Sequence, residues 1–577
     1  MAPTPSVSVR IRAASLAVAV ALTATVGLAF APPAQAAPPD GWLDGALVLA
    51  GGATTVSAST MSWTAWVKGD PQPALATSQI GPADGSLSDP APWGADGTAS
   101  GTITLPGTGS YLVLLRYVAA DGRMRDLFDT IVVTGDLPMP PPGPEQPAPG
   151  GPPTPAQPTA PGGSADPATL RQSYRLEVAL DFDAGRLDTL ETVTITNAST
   201  TPIGSLDLSV IPQAMGYYTP DGDVTADGAV AATAWTTGTN LRVTLPAALE
   251  PRGTVELRVP FHLRVTERMG VGRSSLMRSL GVLALGEWFP ILSREHDSYG
   301  IGDQQVSWNA DEIVLDLTSD RALPRDAVAC QGEIVTAPQA SGTHWVCRSN
   351  NARDYALAVS PHFRRTTTHV GSVTVRTYAI SGGGARAAAL AAGAIRAYTR
   401  LYGPYPYPSL TIAEAGPRVW ANEFPALVFA GTAVIDDTYV MYHEFAHQWF
   451  YAALGNDQQA DPIIDEGLAE LSANTVLGRG YHYCSSLRVD QPVERWPAGR
   501  LTGEWMGCGG YFETVCHKGA AFYDAMRRRM GPTAFYATLR SLLTTERFGV
   551  ITHDELFAAF EGRTHGTRSV LGRFTNH

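Results

Sequence analysis

Between residues 136 and 168 the chain reads LPMPPPGPEQPAPGGPPTPAQPTAPGGSADP, and that run decides how everything around it can fold. Proline fixes φ and has no amide hydrogen, so such a run can continue neither a helix nor the interior of a sheet. It also carries almost no large apolar side chain, and therefore has nothing to bury. It is expected to be a stiff, extended, disordered spacer separating an N-terminal module from a longer C-terminal part. The length of 577 residues agrees, since one hydrophobic core does not grow that large.

The first residues read as a signal peptide over 1–36. Arg10 and Arg12 precede the apolar run AASLAVAVALTATVGLAF, and Ala34-Gln35-Ala36 is a small-x-small cleavage site, which predicts an exported chain beginning near Ala37. No later run is apolar enough for a membrane span. The formal net charge of −13 argues against nucleic acid or an anionic membrane surface as main partner. Residues 37–135 hold short alternating or β-branched segments (TTVSAS, SWTAWV, GTITL, YLVLLRYVA, DTIVVTG) punctuated by Gly, Pro, Asp and Ser. This predicts an Ig-like β-sandwich. Its Trp63, Trp66 and Trp93 read as core, with carbohydrate or cell-wall contact as the alternative.

After the spacer a second β-rich region, 169–368, includes SYRLEVALDF, TLETVTITN and TVELRVPFHLRV. It is too long for one small sandwich, so a large, curved, mostly antiparallel assembly is expected. From 369 to 577 the pattern becomes helical. A helix should end at Gly403, strands should follow at SLTIAEA and ALVFAG, and helices at roughly 438–454, 462–477, 515–530, 533–545 and 553–561. Asp461 with Pro462 reads as a helix start, Thr552 with Glu555 as a capping box, and Gly455, Gly478, Gly531 and Gly562 as C-terminal caps. Export makes disulfides admissible. Cys330 and Cys347 bracket an apparent hairpin and are expected to pair, which leaves Cys484, Cys508 and Cys516.

The chemistry is concentrated in MYHEFAHQWF, residues 441–450. On a helix, His443 and His447 lie on one face and can present ring nitrogens to one ion. Glu444 stands beside them and could take a proton from an attacking water. Catalytic zinc commonly adds a carboxylate to two imidazoles and leaves one position open. ADPIIDEGLAEL supplies Glu466, with eighteen residues between it and His447, on a second helix that can pack back against the first. Glu470, one turn on, could accept the far N–H of a histidine. The competing reading for Glu470 is a solvent-facing helix charge.

HEFAHQWF, the eighteen-residue gap and DEGLAEL, together with WFP at 288–290, resemble the aminopeptidase N family of gluzincin metallopeptidases over roughly 170–550. The resemblance implies a multidomain α+β chain. Its parts would be the Ig-like sandwich, the Pro-rich linker, a saddle-like β domain and a thermolysin-like α/β zinc-peptidase domain. It also implies one zinc ion on His443, His447 and Glu466, Glu444 as general base, and a peptide substrate. Many members carry a further helical domain over the active site; its lack here would leave the cleft more open. Two motifs depart from the family. Where the family has G-x-M-E-N, this chain reads WANEFPALVF and keeps only Glu423, the glutamate that holds a substrate's free amine. Where the family has a catalytic tyrosine in Y-x-K-G-A, this chain has Cys516 in VCHKGA.

Three readings of Cys516 stay open at this point. Tyr511 or His517 could supply the missing oxyanion donor. Cys516 could pair with Cys484 or Cys508. Or its thiolate could fill the open zinc position, giving a latent or redox-sensitive site. The favoured pairing is Cys484 with Cys508, leaving Cys516 free. Functionally the expectation is a secreted zinc aminopeptidase. The alternatives are a weak or inactive zinc protein that binds peptides or wall material, and an endopeptidase.

Overall fold

The computed structural model describes residues 163–576 apart from 267–274, 295–306, 417–420 and 497–507, and before them a set of strands between 45 and 133. The expectations for 1–36, for the spacer up to residue 162, for Trp93 and for the side chain of Trp66 fall outside the described residues. Strands Gly45–Leu49, Thr60–Val67 and Thr98–Thr104 form one antiparallel sheet. Thr55–Val56, Met124–Val133, Gly109–Val118 and Gln79–Pro82 form a second. Trp63 is buried, as a core tryptophan should be.

The β-rich part starts at Gly163–Ser164, which pairs with Ile203–Ser209. Its strands show the period-two alternation that one buried face requires. Along Arg186–Asn197, Leu187, Thr189, Glu191, Val193 and Ile195 point inward while alternate residues face outward. That strand lies between Leu170–Asp181 and Thr254–Arg264 in a nine-stranded sheet. A five-stranded sheet around Asn240–Leu249 and Ile203–Ser209 shares its core. Cys330 and Cys347 are disulfide-bonded beside the Glu333–Thr336/Ser341–Ala352 hairpin.

The C-terminal part is built on a mixed five-stranded sheet: Arg364–Val370, Val373–Ala379, Ser409–Glu414, Leu427–Ala430 and, at the edge, Ala421–Phe424. The helix Gly384–Tyr402 packs its alanine-rich face on this sheet and stops at Gly403, whose φ of 104° most residues avoid. The edge strand turns into its neighbour through Pro425-Ala426, with Ala426 at φ 58°.

The helices differ from expectation in informative ways. The first metal-motif helix runs Thr438–Ala446, capped by the Asp437 carboxylate on the amides of Tyr439 and Val440. It stops eight residues short of 454: beyond Ala446 the amides of Ala452 and Leu454 reach back five residues, to His447 O and Trp449 O, and Tyr451 at φ 122° leaves helical backbone altogether. Gly455 caps no helix; its amide donates to Gly549 O. The second helix is Asp465–Leu477, closed by Gly478 at φ 67°. Asp461 does not cap it, since its carboxylate is engaged by His553. The expected 515–530 helix begins as a π-helical turn, Phe512–Lys518, and continues as an α-helix over Gly519–Met530, ended by Gly531. Pro532–Thr545 follows, then His553–Arg563 with the Thr552/Glu555 capping box. Gly562 lies inside that last helix. Cys484 pairs with Cys508, and Cys516 is a buried free thiol.

Candidate metal centre and active site

The two metal-motif helices pack against each other within the core that backs the sheet, and bring His443, His447 and Glu466 together. One donor atom from each lies within 4.8 Å of the others. The imidazole tautomers suit a cation. His447 Nδ1 meets Phe450 O at 3.2 Å, and a carbonyl can only accept, so Nδ1 carries the proton and Nε2 keeps its lone pair. His443 Nδ1 donates to Glu470 Oε2 at 3.1 Å, while its Nε2 faces Glu466 Oε2 at 3.2 Å. Glu470 is therefore not a solvent-facing charge. It also accepts from the Tyr439 hydroxyl and from Asn474 Nδ2. Two imidazoles and one buried carboxylate, each held from behind, form a donor set that fits zinc.

The electrostatics agree. Burial, and then the neighbouring His443, push His447 down to about 3, so its ring is neutral at any ordinary pH. Burial opposes charge on His443, but its hydrogen bonds to Glu466 and Glu470 outweigh this and hold it well above the ordinary imidazole value. The same pairing with His443 holds Glu466 and Glu470 below the usual carboxylate range against their burial. The cluster thus keeps its carboxylates ionised.

Glu444 is buried, and donor atoms of Glu444, Glu423 and His447 also lie within 4.8 Å of one another. Glu423 sits on the edge strand Ala421–Phe424, 3.9 Å from His447 Nδ1, and accepts from Gln458 Nε2 at 3.1 Å. Cys516 Sγ lies 3.3 Å from Glu466 Oε2 and donates to it; burial and the two glutamates push its thiol well up, so it is protonated. The π-helical turn gives Cys516 this placement, and such turns recur at functional sites. Tyr511, at the start of the turn, packs edge-on against Trp496 in a cluster with Val493, Val515 and Cys516. His517 is bonded to Glu513 at 2.9 Å and stands 3.8 Å from Glu470.

Several residues that sequence reasoning passed over complete the arrangement. Gln448 is fully buried and ties the metal-motif helix to the Glu423 hairpin: its Nε2 donates to Phe424 O and its Oε1 accepts from the Ala426 amide and the Tyr405 hydroxyl. Asp465 accepts from Asn456 and Gln458, and so joins the start of the Glu466 helix to Glu423. Tyr439 lies one turn before His443 on the same face, which its spacing could have signalled. Glu287, Asp354 and Glu423, all buried, converge electrostatically on the Tyr451 phenol and raise it further than burial alone.

The site thus consists of two packed helices that present two imidazoles and a carboxylate, with a further carboxylate beside them. Among solved structures, the chain is similar to an M1 zinc metallopeptidase from Deinococcus radiodurans, with a TM-score of 0.51 and 17% identity over 71% of this chain and 94% of that one. A mutant of that peptidase bound to a Tyr-Ser-Ala substrate matches with a TM-score of 0.52 and 18% identity over 70% and 94%. A two-domain M1 zinc metallopeptidase mutant bound to L-tryptophan gives 0.53 and 18% over 71% and 95%. The chain therefore has the fold of the M1 zinc metallopeptidases. No protein-family model and no curated protein matches it.

Proposed function

We propose that this chain is an exported, zinc-dependent aminopeptidase. The observation that carries the reading is a pair of adjoining buried clusters, His443, His447 and Glu466 on one side and Glu423, Glu444 and His447 on the other, which share His447. Zinc, when bound there, supplies a Lewis acid that polarises the scissile carbonyl and acidifies water. Glu444 takes the proton from the water as its oxygen attacks the carbonyl carbon, and passes that proton to the leaving amine as the C–N bond breaks. Glu470 and Phe450 O hold the two imidazoles in the required tautomers.

Glu423, on the edge strand of the sheet, is the group expected to accept the substrate's α-ammonium while the peptide adds along that edge. Two disulfides support an oxidising compartment. No helix among the described residues is long and apolar enough to cross a membrane.

A second reading, a weak or inactive zinc protein that binds peptides, is favoured by Cys516. Its thiol is a poor donor and is directed at Glu466. Hydrolysis of free-amine and N-acetylated aminoacyl fluorogenic substrates, with and without a chelator, separates the readings. Chelator-sensitive turnover of the free-amine set alone is the expected result. Turnover of both sets means an endopeptidase. No turnover by zinc-loaded protein leaves the binding protein.

A further inference from the structure

Arg353 follows the strand Ser341–Ala352 of the β-rich part, and its guanidinium leaves that part to enter the catalytic one. It is 3% exposed. Its Nη1 donates to Tyr451 O at 3.3 Å, and its Nη2 to Asn456 O at 2.8 Å and Ser307 O at 2.6 Å. The guanidinium also lies 5.0 Å from the centre of the Tyr451 ring. Two features show that the loop is shaped around it. Tyr451 stands at φ 122°, where a side-chain-bearing residue is strained and persists only if its surroundings hold it. Gly455 has no side chain because a Cβ there would come 2.1 Å from Nη1.

This same loop orients two of the three metal-binding side chains. Phe450 O fixes the His447 tautomer. Asn456 Nδ2 donates to Asp465 Oδ1 at 2.9 Å, and that oxygen accepts the Glu466 amide at 3.0 Å, at the start of the helix that carries Glu466. The residues between Phe450 and Asn456 thus have a metal-side task at each end, and Arg353 grips the carbonyls of Tyr451 and Asn456 from behind.

Resting on the proposed zinc-peptidase reading, we infer that Arg353 is a positioning residue that couples docking of the β-rich part to the geometry of the zinc site. It touches neither metal nor substrate. By holding Tyr451 and Asn456 it holds the partners of His447 and Glu466. A buried guanidinium suits the task because its fork reaches several carbonyls at once with fixed angles, which an ammonium cannot do.

The test uses the full chain loaded with zinc and compares Arg353→Met with the parent in competition against a chromophoric chelator. Loss of groups that orient metal ligands typically weakens binding by about 10–100-fold, and that rise in the zinc Kd is expected here. A purely structural Arg353 would lower the melting temperature and leave the Kd of the folded protein, and the visible spectrum of its cobalt(II) form, unchanged; that result overturns the inference. Should Arg353→Met fail to fold, Arg353→Lys keeps the charge but loses the fork that reaches Tyr451 O and Asn456 O together. It should give the same loss of affinity and the same cobalt spectral change, and parental values for both would equally overturn the inference. Parent protein that takes up no zinc fells the peptidase reading and the inference together. Parental Kd in a folded variant of a zinc-binding parent fells the inference alone.

Discussion

Glu191 should make this protein less stable as pH rises, and its replacement should remove the effect. It lies mid-strand in Arg186–Asn197, opposite Leu176 on one neighbour and Val259 on the other, and is fully buried. Neither carboxyl oxygen has a hydrogen-bond partner among the described residues. Burial raises its pKa well above the ordinary carboxylate value. In the unfolded chain Glu191 loses its proton near the usual glutamate value of about 4.3, whereas the folded chain keeps it. Above that pH the native state binds more protons than the unfolded one, so stability falls by about 1.4 kcal/mol per pH unit, until the raised folded pKa is passed. Glu191→Gln keeps the volume and cannot titrate. Urea unfolding of both proteins, followed by tryptophan fluorescence at about pH 5, 6 and 7, should show the variant gaining on the parent by about that increment per unit while Glu191 stays protonated. Only the difference is read, so other titrating groups cancel. Parallel curves would mean that Glu191 is ionised in the fold, and would refute the reasoning.

Glu444→Gln should retain stoichiometric zinc by metal analysis while kcat falls by about 10²–10⁴, the usual worth of a positioned general base. Cys516→Tyr should raise turnover, by up to about 10²–10³ if the missing oxyanion donor is what limits the parent; unchanged kcat in a folded variant would assign that role to another group. Gln448→Leu strands the Phe424 carbonyl and Ala426 amide in a buried setting. At about 1–3 kcal/mol for each unsatisfied group, thermal unfolding should show a loss of about 2–6 kcal/mol, and KM for free-amine substrates should rise as Glu423 loosens.

How much of this was legible in the sequence depended on distance along the chain. His443, Glu444 and His447 share one helical turn, where periodicity alone fixes which side chains face together. Glu466 and Glu470 needed one more step, a second helix of the right length packed back on the first, and of its two capping signals only Gly478 held. Alternation likewise exposed the strands, because a half-buried sheet imposes period two whatever lies across it. The ends of elements were less legible for a specific reason. Nothing in HQWFYAALG announces that the helix stops at Ala446 or that Tyr451 turns to φ 122°, and the partner that holds the loop beyond is remote: Arg353 takes the Tyr451 carbonyl across 98 residues and the Asn456 carbonyl across 103. Asp461 followed by Pro462 reads locally as a cap, but His553 is the partner that wins its carboxylate.

The same distinction explains why the site could be found while its quality could not. Identity of the candidate metal ligands is local information, whereas their orientation is set by groups brought in from elsewhere: Glu470 and Tyr439 behind His443, the Phe450 carbonyl behind His447, Asp465 and Cys516 beside Glu466. Most of these are in turn held by others, such as Asn456, Gln458 and Arg353, whose residue types carry no signal of a site. A metal site of this kind tolerates change in such supports only at the cost of affinity or rate. Cys516 is the sharpest instance. Read alone it is a missing tyrosine, but in the π-helical turn its thiol donates to Glu466 and occupies part of the surroundings of the metal-binding carboxylate. On the proposed peptidase reading, that one contact sets the rate of hydrolysis more than the presence of the two histidines does, and Cys516→Tyr is the variant that measures it.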